Sequence, residues 1–163
     1  MPAACSLRPI HDGDLPFLER LYASTRAEEL APVPWTPEQK AAFLHQQFTA
    51  QHAHYQQHYV GARFDLIERD GRPVGRLYVL RAAREIRIVD IAIVREERGH
   101  GLGTRLVKEL IGEAHASSKT VTIHVEHTNP AMRFYERLGF VPKEDKGVYV
   151  FMEWSAATGN AAR

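Results

Sequence analysis

Three glycines fall within five residues at Gly99, Gly101 and Gly103, in the stretch Arg98-Gly99-His100-Gly101-Leu102-Gly103-Thr104. The stretch joins an apolar run ending at Val94 to a segment with helical periodicity. Glycine lacks Cβ, so its backbone can approach an anion closely and adopt positive φ, while the first-turn amides of Gly101, Gly103 and Thr104 have no intrahelical acceptor and can donate outward. With the helix dipole behind them they would make a pyrophosphate cradle. The plainer alternative is a turn that only brings helix and strand together. Two familiar nucleotide motifs do not fit. A P-loop ends in Gly-Lys-Ser/Thr, whereas Thr104 follows Gly103 directly, and the dinucleotide fingerprint is Gly-x-Gly-x-x-Gly, whereas the spacing here is Gly-x-Gly-x-Gly.

A second chemical signal is Asp90, which interrupts the apolar run Ile88-Val89-Asp90-Ile91. A carboxylate there must either face a wet cleft, where it could act as a base or an anchor, or pair with Arg87 or with an arginine on a neighbouring strand. Glu126 and His127, just past a later strand, are the other candidate bases. The nine histidines give no metal motif. His52, His54 and His58 cluster, but only His54 and His58 have same-face helical spacing and no carboxylate accompanies them. Cys5 is the single cysteine, which excludes an internal disulfide and a thiolate cage.

These residues need elements to position them. Ser6–Ile10 alternates like an edge strand carrying Pro9, and Asp12 or Asp14 is expected to cap a helix through Leu15, Leu18, Leu21 and Tyr22. After the break at Ala31–Trp35, Thr36-Pro37-Glu38-Gln39 carries the N-cap, first-turn proline and capping-box glutamine of a second helix. Arg63–Glu68 and Val74–Leu80 read as strands around an Asp70-Gly71 hairpin turn. Glu85–Val94 is apolar enough for a central strand covered on both faces. Leu102, Leu106 and Leu110, with Val107 and Ile111, make the stripe of an amphipathic helix over Gly101–Ala116. Val121–Val125 is a strand, Pro130–Leu138 a helix ended by Gly139, and Phe140–Trp154 two strands around Lys146-Gly147. The order is that of an α/β or α+β mixed sheet, with the strands ending at Val94 and starting at Val121 adjacent and parallel.

The chain is 163 residues long with 21 Lys+Arg and 20 Asp+Glu, a net charge of +1, and is 44% hydrophobic. That suits a single domain over residues 1–154 followed by a flexible tail at 155–163, and speaks against a nucleic-acid coat. Met1–Ile10 has no signal-peptide pattern and no apolar run approaches a membrane span, so the expected location is the cytoplasm.

Arg98-x-x-Gly101-x-Gly103 resembles the Q/R-x-x-G-x-G/A motif of the GNAT superfamily of N-acetyltransferases. Asn129-Pro130-Ala131-Met132-Arg133-Phe134-Tyr135-Glu136-Arg137-Leu138-Gly139-Phe140 resembles the family's second signature, N-x-x-A-x-x-x-Y-x-x-x-G-F, with alanine one place early. The resemblance runs from Leu7 to Trp154. It implies a central mixed sheet of about six or seven strands flanked by about four helices, with parallel strands 4 and 5 splayed apart. It also implies acetyl-CoA as co-substrate and direct transfer of the acetyl group to a primary amine. Main-chain groups of Ile91, Ala92 and Ile93 would pair with the pantetheine, and Arg98, Gly99, His100, Gly101, Leu102, Gly103 and Thr104 would hold the pyrophosphate. Asn129 would add a coenzyme contact to its capping role, and Tyr135 would be the general acid beside the sulfur. Asp90 stands as the candidate base with Glu126, His127 or water as alternatives, and no metal is implied. The second helix, with Trp35, Phe43, Tyr55 and Tyr59, would form the wall on the acceptor side. Acceptor identity, a homodimer, transfer of a longer acyl chain and a non-catalytic coenzyme-binding module stay open.

Overall fold

The computed structural model describes residues 5–161. In chain order the elements are β1 (Cys5–Pro9), α1 (Leu15–Leu30), α2 (Pro37–His58), β2 (Arg63–Arg69), β3 (Arg72–Arg81), β4 (Glu85–Ile93), α3 (Leu102–Ala116), β5 (Thr120–Glu126), α4 (Ala131–Arg137), β6 (Val141–Asp145), β7 (Tyr149–Trp154) and α5 (Ala156–Ala161). Short 3-10 turns precede α1 at Asp12–Asp14 and follow β4 at Arg95–Glu97. The strands form one seven-stranded sheet in the order β1-β2-β3-β4-β5-β7-β6, and β4 is central as its apolar run requires. Coverage of β4 differs from the expectation. Ile86 and Ile88 are buried but every residue from Val89 to Ile93 is only half-buried.

The chain divides into two compact units, residues up to Tyr78 with Asp90–Arg98, and Val79–Val89 with Gly99 onward. The first has its own core of Leu18, Tyr22, Phe48 and Leu66, against which Ile10, Leu15, Phe17 and Leu44 pack. Its α2 begins as the sequence requires: Gln39 N–H donates to Thr36 Oγ1 (3.1 Å) and Thr36 N–H to Gln39 Oε1 (2.9 Å). The cap before α1 differs. His11 caps the 3-10 turn through Nδ1, and Asp14 accepts from the His11 amide (2.9 Å) while taking a bidentate bond from Arg8 (2.8 Å each). Asp14 is therefore committed to an ion pair and does not cap α1 with its side chain.

In the second unit α3 buries Leu102, Leu106, Val107, Leu110 and Ala114, the stripe read from its periodicity. β5 contributes Val121, Ile123 and Val125 to the buried set. The parallel pairing of β4 with β5 runs from Glu85↔Thr120 to Ile88↔Ile123 and stops there. β4 continues to Ile93 and β5 to Glu126, where β5 is still paired with β7 on its other edge. The residues read as a tail include α5, where Ser155 and Thr158 cap one another's amides and Gly159 sits against the Trp154 indole. Small residues without periodicity give no helix signal, so this element rests on a local cap and one close approach.

One irregularity in β4 bears on function. At the hairpin Ala82 N–H donates to Glu85 O (2.9 Å), and at the far end Val94 N–H donates to Val74 O (2.9 Å). The chain advances eight residues on the β3 side and nine on the β4 side between these bonds. The extra residue is a β-bulge, and Gly75 faces it, with both Ala92 and Ile93 against that one glycine.

Candidate functional site

The turn after β4 has the backbone its glycines suggest. Gly99 and Gly101 stand at φ 77° and 82°, left-handed values that cost an L-residue strain, and open space surrounds both. Gly101 is the N-cap residue of α3 and offers no side-chain cap; its carbonyl accepts the first helical bond, from Arg105 N–H at 2.9 Å. The amides of the first turn thus face outward at the positive end of a 15-residue helix. Leu102 turns inward and is buried, whereas His100 is exposed and Gly103 and Thr104 are half-buried. On the β4 side, Arg98 Nε donates to Ile93 O (2.8 Å), and Arg69 pairs with Glu97 (2.8 Å) to hold the intervening 3-10 turn. Arg105 pairs with Glu109 at 3.5 Å, the ordinary role of an exposed helix arginine.

Asp90 is paired, and its partner is the arginine of the neighbouring strand. Arg76 of β3, only 4% exposed in its side chain, donates from Nη2 to Asp90 Oδ2 at 2.7 Å and to Gln51 Oε1 at 2.9 Å. Tyr55 of α2 donates to the same Asp90 oxygen at 2.9 Å. Arg87, the other sequence candidate, is instead engaged with Thr122 and Glu85. Burial raises the Tyr55 phenol pKa, and the Asp90 charge adds to that, so Tyr55 stays a protonated donor. Two buried side-chain atoms of this cluster, Arg76 Nε and Tyr78 Oη, lack a hydrogen-bond partner. The guanidinium lies 5.0 Å from the Tyr78 ring centroid, and Tyr55 packs edge-on against the same ring at 5.9 Å. Desolvation raises the Tyr78 pKa as well.

The sequence reading allowed an arginine on a neighbouring strand without identifying it as Arg76, and it had no place for Gln51 or Tyr78. The signal was there: Arg76 interrupts Val74-Gly75-Arg76-Leu77-Tyr78-Val79 as Asp90 interrupts its own strand. Two opposite charges in consecutive apolar strands are complementary, and reading them as a pair would have found the network.

The N-cap residue of α4 is Pro130, which has no side-chain cap, and the expected Asn129 sits one place earlier, its Oδ1 accepting from Ala131 N–H at 2.9 Å. Tyr135 on that helix is buried, with its ring edge-on to Phe134 (5.0 Å) and Phe140 (5.3 Å). Glu126 is exposed, and His127 meets Asp145 at 2.9 Å, a contact that, with the Gly147 amide, lowers the Asp145 pKa. His54 and His58 stack with centroids 4.0 Å apart, while His52 stacks on Phe48. Among the described residues no three His, Cys, Asp or Glu side chains are grouped to hold a metal. On the expected acceptor wall Trp35 meets Phe43 edge-on at 5.3 Å and Tyr55 meets Tyr59 at 6.0 Å.

The family model described as Acetyltransferase (GNAT) family matches residues 18–140, and the chain belongs to that family. Among solved structures it is similar to the PaiA N-acetyltransferase of Thermoplasma acidophilum in complex with coenzyme A, at 15% identity and TM-score 0.70, covering 93% of this chain and 99% of that one. It is similar also to Naa50 of Arabidopsis thaliana in complex with a bisubstrate analogue, at 17% identity, TM-score 0.61 and coverage of 93% and 98%. A spermidine N-acetyltransferase SpeG chimera from Vibrio cholerae and hSSAT matches at 20% identity, TM-score 0.62 and coverage of 96% and 98%. At these identities the likeness is one of fold. No helix among the described residues is long and apolar enough to cross a membrane.

Proposed function

We propose that this chain transfers the acetyl group of acetyl-CoA directly to a primary amine. The observation that carries this reading is the left-handed Gly99–Gly101 turn that opens the uncapped start of α3, in a chain of the GNAT family. The amides of Gly101–Thr104 would bind the pyrophosphate with Arg98 and His100 beside them, and the backbone of Ile91–Ile93 would pair with the pantetheine as an added strand. Asn129, next to α4, would contact the coenzyme.

In the reaction the amine lone pair attacks the thioester carbonyl carbon, the C–S bond breaks, and the thiolate takes a proton from the Tyr135 phenol. No acyl-enzyme is needed. Asp90 supports this chemistry through its ion pair: Arg76 and Tyr55 both donate to one of its oxygens, so its duty is to tie β4 to β3 and α2. The amine proton then leaves to water, with exposed Glu126 as the side-chain alternative. Coenzyme-bearing relatives of the same fold support the co-substrate. Calorimetry with acetyl-CoA, followed by thiol release across a panel of polyamines, aminoglycosides, amino acids and peptides, tests the reading. Absence of acetyl-CoA binding would end it, and binding without release for any amine would favour a coenzyme-binding module.

A further inference from the structure

We infer that Gly75 is a positioning residue for coenzyme binding: the missing side chain at this one place in β3 sets the orientation of the peptide between Ala92 and Ile93. In a regular antiparallel pair the carbonyls lie in the plane of the sheet and Cβ atoms stand out of it, so one strand's side chain does not meet its neighbour's carbonyl. At Gly75 that rule fails. A Cβ built there would overlap the Ala92 carbonyl oxygen and lie 3.2 Å from Ile93 Cα and 3.1 Å from Ile67 Cδ1. The Ala92 carbonyl has therefore turned out of the ladder and over the glycine, into the space a side chain would fill.

The surroundings fix it there. Gly75 is buried between Val74 and Arg76, and its backbone has no left-handed φ, so conformational freedom is not what the glycine supplies. What it supplies is volume. Across the bulge two residues of β4 face this one glycine, and the regular alternation of buried and half-buried residues in β4 ends at Ile88. A bulge bends its strand and re-aims the groups on it. The groups re-aimed here are the main-chain donors and acceptors of Ile91–Ile93, which the proposed function assigns to the pantetheine, so this inference rests on that reading. Neither the ion pair of Arg76 with Asp90 nor the bond from Arg98 to Ile93 O can replace the glycine, because both hold the strand from side chains while the overlap is with its backbone.

The test is Gly75→Ala beside Gly112→Ala, which places its methyl in open space on α3. Affinity for acetyl-CoA is measured by calorimetry and normalised to the cooperatively melting fraction. Gly75→Ala is expected to weaken acetyl-CoA about tenfold, the scale of one or two lost backbone hydrogen bonds, with the KM for the amine unchanged, while Gly112→Ala binds as the wild type does. A folded Gly75→Ala with wild-type affinity, or one whose only change is a lower melting temperature, overturns the inference. If Gly75→Ala does not fold, the wild-type amide spectrum decides. Added acetyl-CoA should shift Gly75 together with Ala92 and Ile93, and an unmoved Gly75 with shifts in Ile91–Ile93 overturns the inference. Wild-type protein that fails to bind acetyl-CoA defeats the underlying reading instead.

Discussion

Tyr135 and Asp90 are the two side chains at which geometry and chemistry make opposite demands on mutation. Tyr135 is buried against Phe134 and Phe140, so replacing it with phenylalanine keeps the ring contacts and removes the phenol O–H, the proposed proton donor. Tyr135→Phe should retain the melting temperature and acetyl-CoA affinity while turnover falls by about 10²–10⁴, the usual scale for loss of a general acid. Wild-type turnover between pH 7 and pH 9 would make it a packing residue. Asp90→Asn should behave in the reverse way. It leaves the Arg76 guanidinium, 4% exposed, without its counter-charge, and removing one partner of a buried pair costs about 3–5 kcal/mol. Thermal melting and a pH–rate profile on the one variant decide: a large fall in melting temperature with the acidic limb intact is expected, and loss of that limb at unchanged stability would restore Asp90 as the base. The sequence made Asp90 conspicuous but did not identify its ion-pair partner, because Arg76 lies on another strand. Only strand pairing brings them to 2.7 Å.

At the scale of elements, legibility followed the length of the pattern. α3 and α2 were readable because a stripe of apolar residues and a capping box are local and redundant, and the Asp70-Gly71 turn because both residues take positive φ (52° and 76°) as such a hairpin demands. The cap before α1 differs from the sequence expectation because His11, Asp12 and Asp14 are all competent in sequence; the ion pair with Arg8 engages Asp14, and the His11 imidazole takes the cap. α5 and the bulge opposite Gly75 were invisible, since neither leaves a periodic trace. The α3 turn gives the element-scale prediction. Gly101 needs φ 82° to end the turn and begin the helix, a value that a β-branched residue adopts only with strain. Because the space beside Gly101 is open, Gly101→Val should still fold, with the turn displaced and acetyl-CoA affinity lost in calorimetry. Retention of wild-type affinity would mean the pyrophosphate is held elsewhere.

The whole molecule carries a net charge of only +1, so its response to acid comes from individual groups whose pKa the fold lowers. Burial, with the nearby Arg76 charge, lowers the pKa of His52, and burial, with Arg87 and Lys146, lowers that of His124. Hydrogen bonds from Arg8, helped by the His11 amide, lower Asp14 to about 2, and Arg81 lowers Glu113 in the same sense. In every case the unfolded chain binds the proton more tightly, so stability is full above the unfolded value and is lost as pH falls toward the folded one. Two descents follow. The first begins near the ordinary histidine value of about 6.5, and the second below the ordinary carboxylate value of about 4. Asp14 is buried, so its share of the second descent is about 2 kcal/mol, present at pH 7 and gone near pH 2. Urea unfolding of Asp14→Asn against the wild type at a series of pH values should show that difference constant from pH 7 to pH 5 and shrinking below pH 4. His52→Gln with His124→Gln should remove the first descent and leave the second. A difference between Asp14→Asn and wild type that persists unchanged at pH 2 would mean the aspartate stabilises the α1 entry by shape and not through its charge.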